Sequence, residues 1–292
     1  MFGLAEASGA AKRLEPLPRL KSLQTGTDEG HVSVLAVVPV YLRDDMDAEL
    51  LARCLVSLYS TAPDAEVLVV DDGSPAKHLV DQLRPVADEL GQRVILKEEN
   101  SGFSKTVNVG LRVAAAEGHD ALLVNQDIQF VEPGWLDAML ACEADGRPAA
   151  VVGGRLLYPS GLIQHAGIFY SRFYGWYDHR YRYAPAELPE ANVPFRCPVT
   201  GALQLIRHET LERIGFYDES FVMGHEDVDY CLRTLDAGLA CVYEPAAWAY
   251  HHESAIRGRL DEKAVSWWQA SNERHVAKNG ARDHSDHYLP LT

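Results

Sequence analysis

Carboxylates follow or open regular segments at three places in this 292-residue chain. Asp71 and Asp72 follow EVLVV (Glu66–Val70), Asp127 follows ALLVN (Ala121–Asn125), and Glu226, Asp227 and Asp229 open a helix-like stretch from Asp227 to Ala237. An aspartate after a strand commonly starts a turn or caps the next helix. An acidic first helical turn suits the helix dipole and needs no further role. Grouped at one sheet edge, however, carboxylates can hold a divalent cation against an anionic ligand or take a proton from a hydroxyl. No G-x-G-x-x-G follows the first apolar run, and there is no Walker-type loop. A diphosphate bound here would therefore need carboxylate-held metal to neutralise it.

The elements that would position these groups follow from the apolar pattern. VSVLAVV (Val32–Val38) and EVLVV are continuous apolar runs, as strands buried on both faces require, with Pro39 expected to end the first. Between them Leu50, Leu51, Cys54, Leu55, Leu58 and Tyr59 recur at helical spacing. Further helices are expected at Lys77–Leu90 and Lys105–Glu117, with strands at Val94–Leu96 and Ala121–Asn125. Strands alternating with helices imply right-handed crossovers and a parallel sheet, with ligands beyond the strands' carboxyl ends. The second half is less regular: an aromatic-rich stretch at Tyr170–Tyr183, a loop at Pro185–Pro198, helices near His208–Ile214 and Asp227–Ala237, and a strand near Ala240–Tyr243.

Composition sets limits. At 47% hydrophobic and 24% charged, the chain can build a full core, and its net charge of −15 disfavours nucleic acid and anionic membrane as partners. Five scattered cysteines (Cys54, Cys142, Cys197, Cys231, Cys241) read as buried, reduced thiols. The chain shows no signal-peptide order and no run long enough for a transmembrane segment, so a cytoplasmic location is expected, with attachment to the inner face of the membrane left open.

Taken in order, VVPVYLRDD, EVLVVDDGS, NSGFSKTVNVGL, LLVNQD, PGWLDAML, IQHAG, VTGALQLI, GFYDESF, GHEDVDYCLR and HHESAIRG resemble family 2 glycosyltransferases, from about Val32 to Gly258. The resemblance implies an α/β glycosyltransferase A fold, with a mostly parallel central sheet flanked by helices. It implies a Rossmann-like nucleotide-binding half (31–130) and an acceptor half (131–260), with residues 1–30 and 261–292 as an N-terminal extension and a C-terminal helical extension with a tail. Asp72 resembles the aspartate that binds the nucleotide base, and Pro39 and Tyr41 lie on the loop for base and ribose. Gly102, Phe103 and Asn108 fall in the stretch lining the nucleotide pocket, with Lys105 a diphosphate contact. Asn125-Gln126-Asp127 stands where the family has Asp-x-Asp. Asn125 departs from that pattern, so metal binding falls to Asp127 and a partner, with His251 favoured over His252. Asp227 matches the general base, Gly201 a close approach to the sugar, and Arg257 with Gly258 a lid over the diphosphate. His165 and Gly167 of IQHAG suit core packing or donor contact equally, and Trp176, Trp267 and Trp268 suit stacking on a sugar or core or interface packing, with packing favoured.

The implied activity is inverting transfer of a sugar from a UDP, dTDP or GDP donor to a hydroxyl of a glycan or glycoconjugate acceptor, with Mn²⁺ or Mg²⁺. HHESAIRG looks like the string in bacterial cell-surface polysaccharide enzymes, including rhamnosyltransferases. Two alternatives stay open. A sugar-nucleotide nucleotidyltransferase would carry a Gly-rich loop where this chain has Pro39-Val40-Tyr41. A non-catalytic sugar-nucleotide-binding protein would have no need to keep Asp72, Asp127, Asp227 and His251 together.

Overall fold

The computed structural model describes residues 33–89, 91–171, 176–253 and 261–280. Four strands, β1 (Val34–Val40), β2 (Glu66–Asp71), β3 (Arg93–Leu96) and β4 (Asp120–Val124), pair parallel in the order β3-β2-β1-β4. Helices α1 (Asp45–Thr61), α2 (Lys77–Glu89) and α3 (Phe103–Glu117) connect them. Successive side chains of a strand point to opposite faces, and here both faces are covered. Ala36, Val38, Val67, Val69 and Leu122 pack with Leu51, Cys54 and Leu58 of α1. Leu35, Val37, Leu68, Val70 and Leu123 pack with Val107, Leu111 and Ala114 of α3.

Pro39 does not end β1, which runs on to Val40. Asp72 N donates to Val40 O, so Val40 faces β2 and Pro39 faces the β4 side. Pairing with β4 has already stopped at Val37↔Leu123, so the missing N–H of Pro39 leaves no ladder bond unmade.

The second half continues the sheet with mixed pairing. Its elements are β5 (Ile128–Gln129), α4 (Trp135–Ala141), the short pair β6 (Glu143–Ala144) and β7 (Arg147–Pro148), β8 (Val151–Leu157), β9 (Ile163–His165), β10 (Ile168–Ser171) and β11 (Trp176–His179). After these come β12 (Phe195–Arg196), β13 (Leu203–Ile206), α5 (His208–Ile214), α6 (Glu226–Asp236), β14 (Cys241–His251) and α7 (Glu262–Asn279). β13 lies antiparallel between β4 and β8, and β14 runs parallel to β8. β1, β2, β4, β8 and β14 therefore share one direction, and β13 starts at the edge where they end. All five cysteines are buried and unbridged, and burial pushes the Cys142 and Cys197 thiols up to about 12. Among the described residues no helix is long and apolar enough to cross a membrane.

Candidate active site

A cleft of about 1050 Å³ opens along this shared edge. Its walls are the segments just beyond β1, β2, β4 and β14, those just before β13 and α6, the β10–β11 pair, and α7.

At the β1–β2 end, Asp72 is buried and accepts from Ser101 N and Gly102 N, each at 3.0 Å, and from Lys97 Nζ at 2.5 Å. Lys97 also donates to Thr106 Oγ1 at 2.8 Å and to Ser101 Oγ. Pro39, Tyr41, Gly102 and Phe103 line the cleft beside it. Gln126 Oε1 accepts from Tyr41 N at 2.7 Å, tying the segment after β4 to the one after β1.

Lys105 and Asn108 depart from expectation, since neither lines the cleft. Asn108 is fully buried, accepts from Tyr217 N, and donates to Tyr217 O and Glu219 Oε1. Lys105 is exposed, and its charge acts on Glu219. Both belong to the joint between α3 and residues 216–219. The cation bonded to Asp72 is Lys97, which lies outside the motifs quoted above.

At the β4–β14 end, β14 pairs with β5 through His251↔Ile128 and so brings His251 beside Asp127. Asp127 Oδ1 and His251 Nε2 lie 3.2 Å apart, both buried. His252, one residue on, turns the other way: its ring meets Gln129 Oε1 at 3.1 Å, and burial lowers its pKa.

The tautomer of His251 follows from its neighbours. Gln164 Nε2 donates to Glu253 Oε2 at 3.0 Å, which fixes the amide so that Gln164 Oε1 faces His251 Nδ1 at 2.5 Å. Nδ1 therefore carries a proton, and in the neutral ring Nε2 turns a lone pair toward a carboxylate. Two such groups at 3.2 Å need a cation or a second proton between them. The buried Asn125 Oδ1 nearby has no hydrogen-bond partner among the described residues. A carboxylate, an amide oxygen and an imidazole form a donor set that fits a hard or borderline divalent cation. Among the described residues the one cluster of three or more His, Cys, Asp or Glu ligand atoms is Glu66, Glu117 and His119, away from the cleft and largely exposed.

Toward α6, Asp227 is half-buried and faces the cleft. Its Oδ2 accepts from Gly201 N at 3.0 Å and its Oδ1 from Val228 N at 2.7 Å. A Cβ on Gly201 would stand 2.9 Å from the Tyr217 hydroxyl and 3.3 Å from Asp227 Cβ, so the glycine keeps the carboxylate accessible. Asp229 is bound on both sides, by Arg233 Nε at 2.9 Å and Lys278 Nζ at 2.7 Å, and does not reach the cleft.

His165 lies behind the cleft. Burial, His179 and His251 hold its pKa well below the usual histidine value. Its IQHAG neighbour Gln164 is the residue of that string that lines the cleft. The three tryptophans are not core residues either. Trp176 is 50% and Trp268 46% exposed, Trp267 is half-buried, and all three line the cleft. Arg257 and Gly258 lie outside the described residues.

A parallel nucleotide-type sheet extended by a mixed half, with carboxylates gathered beyond its strand ends, defines a glycosyltransferase A fold. Residues 35–214 match the model for glycosyl transferase family 2, and the chain belongs to that family. It is 28% identical to the O-antigen biosynthesis protein RfbC of Myxococcus xanthus over 91% of its own length, and spans 21% of that protein. It is 26% identical to the N-acetylglucosaminyl-diphospho-decaprenol L-rhamnosyltransferase of Mycobacterium tuberculosis, over 80% of this chain and 87% of that one. Among solved structures, GalNAc-T7 with UDP, GalNAc and Mn²⁺ superposes with a TM-score of 0.61 at 17% identity, covering 77% of this chain and 44% of that one.

Proposed function

We propose that the protein is a cytoplasmic, metal-dependent inverting glycosyltransferase that moves a sugar from a nucleoside-diphosphate donor to a hydroxyl of a glycan or glycoconjugate. The observation that carries this reading is one cleft lined by Asp72, by the Asp127–His251 pair and by Asp227. Residues 31–130 would serve the nucleotide and residues 131–260 the acceptor. Asp72, oriented by two backbone N–H groups and Lys97, would receive the base, with Pro39 and Tyr41 beside the base and ribose. Asp127 and His251, with Asn125, would hold Mn²⁺ or Mg²⁺, which when bound neutralises charge on the departing diphosphate.

A hydroxyl is a weak nucleophile at neutral pH, and Asp227 would take its proton as the new C–O bond forms. The bond from the anomeric carbon to the diphosphate oxygen breaks on the opposite side, which inverts the configuration. Gly201 N holds one Asp227 oxygen by a hydrogen bond and so orients the carboxylate.

The test combines a thermal-shift screen of UDP-, dTDP- and GDP-sugars, with and without Mn²⁺, with single-turnover transfer by Asp227→Asn. A ligand that binds only the native state raises the melting temperature. Stabilisation that requires Mn²⁺, and a fall in transfer of about 10²–10⁴-fold with donor affinity kept, are expected. Metal-independent donor binding by the wild type, or near-normal transfer by Asp227→Asn, would refute the reading.

A further inference from the structure

Helix α7 begins 48 residues beyond the last family-matched position, Ile214, yet it builds a wall of the cleft. Its seat is well defined. Ser271, His275 and Asn279 recur every four residues and are buried. Lys278 Nζ reaches Asp229 Oδ1 at 2.7 Å and Asp218 Oδ2 at 2.9 Å, and Arg274 meets Asp218 at 3.3 Å. His225 Nε2 lies 2.5 Å from Asn272 Oδ1, and its ring stacks on His275 at 4.6 Å. Since His225 caps α6 just before Glu226 and Asp227, the seat of α7 and the position of Asp227 are one construction.

The neighbouring rows of α7 face the cleft and carry Ala264, Trp267, Trp268 and Asn272. Trp268 covers Gly224, three residues before Asp227. A Cβ there would stand 3.0 Å from Trp268 Cδ1, and the φ of +94° itself favours glycine. Trp176 lines the same cleft from β11, and its neighbour Tyr177 meets His275 edge-on at 5.3 Å. Two half-exposed indoles thus line the cleft that holds Asp227, one from α7 and one from β11.

The chemistry of this wall selects its ligand. An indole offers a broad apolar face and a single polar N–H, which matches a pyranose with its C–H face and hydroxyl rim. The charged groups nearby are mostly acidic: Asp178, Glu226, Asp227 and Asp261 line the cleft. Lys263 sits over Trp267 at 4.5 Å, and Arg182 Nε donates to the Tyr158 hydroxyl at 2.9 Å. Such a surface disfavours an anionic group beside the base. We infer that α7 and β11 form an acceptor subsite for a neutral glycan, with a pyranose ring packed on Trp268 and Trp176 and a hydroxyl presented to Asp227. This rests on the function proposed above and names the acceptor's class.

The test is saturation-transfer NMR on the full chain with a panel of methyl pyranosides, and tryptophan fluorescence with farnesyl phosphate, each with and without nucleoside diphosphate and Mn²⁺. Transfer to the ring C–H protons of at least one pyranoside is expected. Trp268→Ala and Trp176→Ala should each weaken binding about tenfold or more, with melting temperature and nucleotide affinity kept. Trp268→Phe should retain most of the binding, a readout that guards against misfolding of the alanine variant. Unchanged binding in both alanine variants, no pyranoside binding by the wild type, or saturable farnesyl phosphate binding in place of sugar would each overturn the inference. Pyranoside binding without nucleotide is read independently of donor binding, so failure of the donor reading is distinguishable from failure of this one.

Discussion

Replacing Gln164 with leucine removes two hydrogen bonds in a buried place: the one that orients His251 Nδ1 and the one that meets Glu253. Gln164 is 2% exposed, so no water takes over readily, and the Nδ1–H of His251 loses its acceptor. An unsatisfied buried polar group costs about 1–3 kcal/mol, and the imidazole is then free to rotate or change tautomer. Loss of a residue that orients a metal-binding histidine typically costs about 10–100-fold in metal affinity. Mn²⁺ affinity, read by electron paramagnetic resonance at saturating nucleoside diphosphate, should therefore fall by that order in Gln164→Leu. Gln164→Glu combined with Glu253→Gln keeps an acceptor for Nδ1 and restores a donor for the second bond, and should stay much closer to the wild type. A folded Gln164→Leu that binds Mn²⁺ as tightly as the wild type would refute the argument, and with it the role of His251.

Lys97→Met should weaken nucleoside diphosphate binding about tenfold, because it removes the ammonium bonded to Asp72, while Lys105→Met should leave calorimetric affinity unchanged; the opposite pattern would restore Lys105 to the site. His165 has a folded pKa well below its unfolded value, chiefly through burial, so the unfolded chain binds more protons at acid pH. Its contribution to stability is complete above about pH 6.5 and is lost as pH falls below it, at up to about 1.4 kcal/mol per unit. Urea unfolding at pH 7.5 and 5.5 should show this loss, and His165→Asn should reduce it; an equal loss in the variant would exclude His165 as its source.

The parallel half was legible because each strand is an apolar run with both faces covered, and each helix shows its spacing. β13 was not legible. LQLI is four fully buried residues without alternation, and its place antiparallel between β4 and β8 depends on pairing partners some 50 and 80 positions away. The extent of β14 was hidden in the same way: its middle, Glu244 to Trp248, carries a register shift that breaks the pattern, and the strand resumes in time to bring His251 to the edge.

In the site, the residues that could be read stand where an element meets the edge: Asp72 just after β2, Asp127 after β4, His251 at the end of β14 and Asp227 in the first turn of α6. Their chain position alone puts them there. Lys97 gains its significance from a partner 25 residues away and no local pattern marks it, while Gln164 stands in IQHAG but owes its role to a partner 87 residues away. Lys105 is different, because helical phase already argued against it. Residues advance about 100° each around a helix, so Lys105 lies about 200° from Phe103, the helix's cleft-facing start. Lys105, Asn108 and Arg112 fall on one side at offsets of three and seven, and all three face Glu219. Phe103 and Thr106 share the opposite side and line the cleft, and it is Thr106 that receives Lys97. The same helix thus turns one lysine away from the cleft and steadies the other against Asp72.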